Sequence, residues 1–139
     1  MDELVQWLRA QLEEDERIAQ AASPGPWSTK WNAQEYALVA PSRNYPIAEW
    51  TYAVATCEPE ASTQRAECDT ADADFIAQYD PARVLAEIGA KRELLRRYEH
   101  LKHDVMPDDL TGVWAFEVVL RAHAVVYAAR PGYKESWRP

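Results

Sequence analysis

The residues of this chain best equipped for chemistry are its clustered carboxylates and its three histidines. The run Glu13, Glu14, Asp15, Glu16 offers four consecutive acids, but consecutive helical residues point in four directions, whereas a divalent cation needs converging oxygens. A solvated helix face accounts for them. Asp69, Asp72 and Asp74 fall in "DTADAD", where Asp69 and Asp72 can share a face. Helix capping and compensation of the helix dipole explain both without a metal. His100 and His103 are three residues apart, a spacing able to ligate a metal, yet no cysteine, glutamate or third histidine stands at a matching position. Positive charge at a helix C-terminus is favourable in its own right. His123 lies near Phe116, Val119 and Leu120 on a helical wheel and reads as a half-buried residue rather than a catalyst. The expectation is no metal site and no cofactor.

Nucleophilic chemistry finds no better support. The chain has no GxSxG, no cysteine beside an activating group, and only four glycines, none arranged to cradle a phosphate. Triads converge in space rather than in sequence, so the balance turns against an enzyme without excluding one, and no catalytic residue is assigned. Cys57 and Cys68 are too few for a disulfide scaffold and match neither a CxxC pair nor a zinc knuckle. A reduced cytoplasmic protein is expected, with pairing of the two cysteines left open. No apolar run is long enough to span a membrane, and "MDELVQW" lacks the basic and hydrophobic regions of a secretory signal.

The net charge of -8 argues against general binding to a phosphate backbone. The charge is segregated, however. Residues 1–22 hold six acids and two bases and residues 57–80 seven acids and one base, whereas residues 81–103 hold six bases and three acids. Arg92, Arg96 and Arg97 in that basic stretch are candidate binding residues, although pairing with the acidic segments, within the fold or across a dimer, is the better account of them.

These residues need elements to position them. Leu4, Val5, Leu8, Leu12 and Ala19 predict an amphipathic helix over 2–21, with Asp2 and Glu3 at the positive end of its dipole. Pro24 and Pro26 stop it by forcing Ser23 and Gly25 out of the helical region. From Trp27 the composition turns aromatic and β-branched, which predicts short strands within 27–56, near 27–31, 36–40 and 46–56, as an antiparallel meander. Residues 57–68 read as a polar surface loop. A helix over about 70–78 presents Phe75, Ile76 and Tyr79. Asp80 as N-cap and Pro81 as first helical residue then restart the chain into a helix over 81–103, striped by Val84, Leu85, Ile88, Leu95 and Tyr98. A last helix spans about 109–129, and the tail 130–139 is expected to dock through Tyr133 and Trp137. The fold class expected is α+β: an N-terminal helix, a small antiparallel sheet, two consecutive helices and a C-terminal helix in one domain over 1–139.

Six tryptophans are spread over every element, which suits core and interface anchoring. Trp31 and Trp50 are the candidates for an aromatic ligand pocket, and Trp7, beside the apolar stripe of its helix, widens that stripe toward a subunit contact. "AASPGPW" at 21–27 and "ADADFIAQYDPARVLAEI" at 71–88 together resemble a family of small uncharacterised proteins from actinobacteria and their phages. "ARPGYKESWRP" at 129–139 is similar to that family's ending and "EDERIAQAA" at 14–22 to its first helix. Within the matching blocks Pro24, Gly25, Pro26, Trp27, Phe75, Ile76, Asp80, Pro81, Val84, Leu85, Tyr133 and Trp137 read as structural motif. More distantly, the PGPW turn with FIA-x-x-x-P-x-x-VL resembles the Ead-like early proteins of temperate phages. Some relatives hold cysteines after the long helix; this chain has none there, so the resemblance implies no zinc site. It implies no biochemical activity either.

The leading expectation is a non-enzymatic accessory protein of a phage or an actinobacterium, homo-oligomeric, that engages an unidentified host or phage protein. The alternatives are a module binding a small aromatic or nucleotide-like ligand, and an acidic DNA mimic, whose required array of carboxylates the basic helix interrupts.

Overall fold

The computed structural model describes residues 1–31, 37–41, 54–57, 66–104 and 111–139. The chain is α+β. Helix α1 (Asp2–Ala21) leads into a three-stranded sheet of β1 (Trp27–Trp31), β2 (Ala37–Pro41) and β3 (Ala55–Cys57). Helices α2 (Ala66–Gln78), α3 (Pro81–Asp104) and α4 (Thr111–Val125) follow, and a 3-10 turn (Glu135–Trp137) closes the chain. Two compact units are distinguished, Met1–Arg17 with Glu87–Pro139, and Ile18–Ala86.

In the unit Ile18–Ala86 the strands run antiparallel in the order β1-β2-β3, with Trp27 opposite Pro41 and Val39 opposite both Thr29 and Ala55. The third strand expected from sequence begins at residue 46; its residues 46–53 lie outside the described residues. The core is built from small side chains: Ala37 and Val39 of β2 meet Ala73 and Ala77 of α2, with Trp27, Val54, Ala55, Cys57 and Ile76 around them. Alanines spaced four apart on α2 bring its backbone close to the sheet, so the helix needs little apolar content to dock. Helix α2 begins at Ala66, four residues before the expected start at 70. The polar composition around Ala66 reads as loop, but a helix with so narrow a buried face is polar over most of its length too.

One carboxylate ties this unit together. Asp80 is 6% exposed. Its Oδ1 accepts the Arg83 N–H at 2.9 Å, the N-cap bond of α3, and its Oδ2 accepts the Trp27 N–H at 2.8 Å. Gly25 lies beside them, where an added Cβ would fall 2.9 Å from the Ala82 Cβ and from Asp80 Oδ1. Close approach is therefore the reason for glycine in "PGPW". The Gly25–Pro26 peptide bond is cis, and the Trp27 indole N–H donates to the Ser23 carbonyl at 2.9 Å.

In the other unit, α1 and α3 run antiparallel, because as the α1 partner climbs from Asp2 to Arg9 to Glu16 the α3 partner descends from Lys102 to Glu99 to Arg92. The bonds Arg9 to Glu99 at 2.6 Å and Arg92 to Glu16 at 2.7 Å flank a seam of Leu4, Leu8, Leu12, Ile88, Leu95 and Tyr98, all buried. The seam supplies the stability, since exposed ion pairs contribute little each and chiefly set register. Leu120 and Ala124 bring α4 to the same core. Tyr98, 1% exposed, donates its hydroxyl to Glu117 of α4 at 3.1 Å; burial, with that carboxylate second, pushes the phenol up to about 12.

The α-helical pattern of α4 ends at Val125. Successive i to i+3 bonds, Tyr127 to Ala124 and Ala128 to Val125, both 3.0 Å, tighten the chain into turns. The tail then folds over α1. The Trp7 indole N–H donates to the Pro131 carbonyl at 3.0 Å, and the Trp7 ring meets Trp137 at 5.2 Å and Tyr133 at 5.7 Å between centroids. The widened apolar stripe at Trp7 is thus covered by the chain's own C-terminus. Gly132 makes this possible: its φ is +84°, and a Cβ there would sit 3.0 Å from Trp7 Nε1. Gly132→Ala combines left-handed strain with that contact, and we expect a loss of about 1–3 kcal/mol. Chemical denaturation checks it, with Gly89→Ala, where a Cβ meets nothing within 4 Å, as the control expected to be neutral or stabilising.

Candidate interaction surface

Helix α4 turns the wrong side to water. Its sequence TGVWAFEVVLRAHAV holds only three titratable residues, Glu117, Arg121 and His123, and none belongs to its exposed face. At about 100° per residue, Trp114, Ala115, Val118, Val119 and Ala122 fall within one arc of roughly 140° that contains no charged side chain, and Val126 follows in the turn just past the helix end. Trp114 is 66% exposed and Val126 73%, with Val118 and Val119 also open to solvent. The two ionic residues are held at one edge of that arc: Glu117 accepts the Tyr98 hydroxyl, and Arg121 donates to the Ser136 carbonyl at 2.7 Å. A helix that ordinarily buries apolar residues and exposes charges does the reverse here on its outer side.

A second cluster carries the titratable groups of the same unit. Lys91, Tyr127, Asp15 and Arg130 form a chain in which Lys91 donates to the Tyr127 hydroxyl at 3.4 Å, that hydroxyl donates to Asp15 Oδ2 at 2.9 Å, and Arg130 pairs with the other oxygen of Asp15. The Arg130 guanidinium also lies 4.7 Å from the centre of the Tyr127 ring. Burial and then the Asp15 hydrogen bond push the Tyr127 phenol up to about 12, so it stays protonated at neutral pH. Burial, reinforced by Lys91, holds His123 below the usual histidine range and hence neutral. The pocket between them, lined by Leu8, Leu12, Leu95, Leu120 and His123, encloses about 10 Å³. That is room for about one water, against the roughly 300–1,000 Å³ of a ligand site. These groups lock α4 and the tail to α1 and present no free nucleophile.

The residues singled out in the sequence distribute as follows. Gly25, Trp27, Asp80 and Pro81 meet in the clasp described above, with Pro24 and Pro26 exposed beside it and Val84 and Leu85 half-buried. Tyr133 and Trp137 meet over Trp7. Phe75 is exposed, stacked on Tyr79 at 4.6 Å, with the Arg83 guanidinium 4.2 Å above the Tyr79 ring; Ile76 packs on the sheet core. Of the candidate binding residues, Trp31 ends β1 and Trp50 lies outside the described residues. Arg92 is engaged with Glu16, and Arg96 and Arg97 both hold Glu93, at 2.8 and 2.7 Å. Among the described residues no group of three or more His, Cys, Asp or Glu side chains could hold a metal ion, and no helix is long and apolar enough to cross a membrane. The α4 face is not among the candidates read from the sequence, although its signal is there: every position on one arc of that helix is uncharged.

The shared carboxylate has a pH consequence. The Arg96 hydrogen bond, then that of Arg97, lowers Glu93 from an ordinary 4.5 to about 2. A carboxylate with a depressed folded-state pKa stabilises the fold above its unfolded pKa and loses that contribution as pH falls. The stability difference between the wild type and Glu93→Gln is expected to be constant above about pH 5 and to shrink between 4.5 and about 2. Denaturant midpoints measured across that window test it; a difference that stays flat down to its acid end contradicts the pairing.

No curated protein and no solved structure matches the chain. The profile of a family of unknown function, DUF6221, matches residues 1–139, and the chain belongs to that family.

Proposed function

We propose that the protein is a non-enzymatic interaction protein, an accessory factor of an actinobacterium or its phage that works in the cytoplasm through the outer face of α4. The observation that carries this reading is the uncharged arc from Trp114 to Ala122, with Val126 just past it, on a chain whose net charge is -8. Contiguous apolar side chains left in water on one face of a helix are the kind of patch that marks binding sites. The candidate cationic residues support the same reading, because Arg92, Arg96 and Arg97 are committed to carboxylates of their own chain rather than offered to phosphate. Photocrosslinking tests it. A benzophenone amino acid at Val118 is expected to give adducts in a lysate of the native host, while the same group at Ile18, also exposed, gives none. Absence of any adduct at Val118 would sink the reading.

A further inference from the structure

We propose that Phe75 and Tyr79, with Asp72 and Asp74 beside them, form a docking platform for an arginine side chain of a basic partner segment. The platform belongs to the unit Ile18–Ala86 and does not depend on the reading of α4. Phe75 is 61% exposed and Tyr79 47%, on a helix whose docking alanines, Ala73 and Ala77, are buried against the sheet. The four-residue spacing sets one ring above the next on the side of α2 turned away from that core. Their centroids stand 4.6 Å apart with the planes tilted by 36°. The rings order each other before any ligand arrives, which lowers the cost of binding.

Two observations name the occupant. The first is that the chain already shows what such a ring accepts: the Arg83 guanidinium lies 4.2 Å from the centre of the Tyr79 ring, an arrangement that planar guanidinium groups favour. Phe75 offers the neighbouring, more exposed ring. The second is charge complementarity. On a helical wheel Asp72 lies about 60° to one side of Phe75 and Asp74 about 100° to the other. Both are exposed, and among the described residues neither forms an ion pair. In the other unit, by contrast, Asp2, Glu3, Glu16, Glu93 and Glu99 are each matched by a lysine or arginine of the same chain. Residues 57–80 as a whole hold seven acids against one base. A cation stacked on Phe75 therefore meets two uncommitted carboxylates, whereas a phosphate brought there is repelled. Arginine fits better than lysine, because a guanidinium stacks flat on a ring and can donate two bonds to one carboxylate.

The test uses the full chain carrying para-fluorophenylalanine in place of phenylalanine. Phe75 and Phe116 are its only phenylalanines, so the fluorine spectrum holds one reporter on the platform and one on α4 as a reference. The probe is an acetylated and amidated pentapeptide, Gly-Arg-Gly-Arg-Gly, beside its lysine counterpart. The arginine peptide is expected to move the Phe75 signal saturably and to leave that of Phe116 in place, and the lysine peptide to bind more weakly by about twofold or more. Fluorescence anisotropy of a dye-labelled arginine peptide then reads the variants, whose folding is checked by circular dichroism. Phe75→Leu, which keeps an apolar side chain and removes the ring, is expected to weaken binding about two- to fivefold. Asp72→Asn with Asp74→Asn is expected to weaken it and to flatten its dependence on salt. Glu13→Gln with Glu14→Gln makes the same change of net charge in the other unit and is expected to leave binding near that of the wild type. A Phe75 signal unmoved at millimolar peptide overturns the proposal. So does an equal shift of both signals, or a loss of affinity no greater in the Asp72 and Asp74 variant than in the Glu13 and Glu14 control. A short thymidine oligonucleotide that moves the Phe75 signal where the peptide does not also overturns it, and assigns the rings to nucleic acid bases instead.

Discussion

Replacing Trp137 with alanine is expected to lower stability by about 3–5 kcal/mol, the largest loss predicted for any single side chain in this protein. Only 7% of this residue is exposed although it lies near the chain end. Its ring sits 5.2 Å from Trp7 and 5.9 Å from Tyr133, with the Lys134 ammonium 5.8 Å from its centre. Truncation removes that burial and both ring contacts, each worth about 0.5–1.5 kcal/mol beyond area, and opens a cavity at the terminus of a cluster that also includes Tyr127. The loss does not stop at the ring. Arg121 donates to the Ser136 carbonyl and Lys134 pairs with Glu3, and both contacts need the backbone that Trp137 pins down. In a thermal scan the drop is expected to reach on the order of 10–15 °C, and Trp137→Phe, which keeps a ring in the site, is expected to lose less than half as much. A Trp137→Ala protein melting within about 2 °C of wild type, equivalent to well under 1 kcal/mol, would show that the tail contributes no packing.

How far the sequence discloses this architecture depends on whether the signal is local. The α+β class and its order of elements rest on local signals. Pro24 and Pro26 cannot continue α1 whatever the rest of the chain does, and Asp80 with Pro81 forms a helix start from its own backbone chemistry. The same logic does not reach the start of α2 at Ala66, since the alanines of α2 that pack on the sheet, at 73 and 77, lie further along the helix. It fails for partners between helices. That Arg92 meets Glu16 follows from how α1 and α3 pack against each other, which segment charges do not record, whereas Arg96 and Arg97 share Glu93 at the i+3 and i+4 spacings of their own helix, a local signal that counting charge by segment passes over. The α4 face shows the limit most clearly. Its β-branched pairs Val118/Val119 and Val125/Val126 weaken the helical propensity, which directs attention to whether a helix forms there and away from which side of it faces water. Only once Leu120 and Ala124 are seen to be buried does the opposite arc become an exposed apolar surface.

Asp80→Ala carries the second large effect, about 3–4 kcal/mol, and it decides what "SPGPW" is for. The Asp80 carboxylate satisfies two backbone donors from segments distant in sequence, the Arg83 N–H at the start of α3 and the Trp27 N–H at the start of β1. Loss of the N-cap alone costs about 0.5–2 kcal/mol. A donor left unsatisfied in a buried site costs about 1–3 kcal/mol more. Asp80→Asn separates the two contributions, because an amide keeps one acceptor oxygen and replaces the other with a donor. It can serve Arg83 or Trp27 but not both, and an intermediate loss of about 1–2 kcal/mol is expected. Gly25→Ala attacks the same junction from the other side, placing a methyl 2.9 Å from the Asp80 carboxylate and from the Ala82 Cβ. Since both substitutions damage one contact, their effects are expected to be less than additive in a double-mutant cycle. Full additivity would mean that Gly25 and Asp80 serve separate purposes and that the loop is free to do something other than hold β1 against the start of α3. Subadditivity identifies the proline-glycine turn as one half of a structural clasp, with Asp80 as the other.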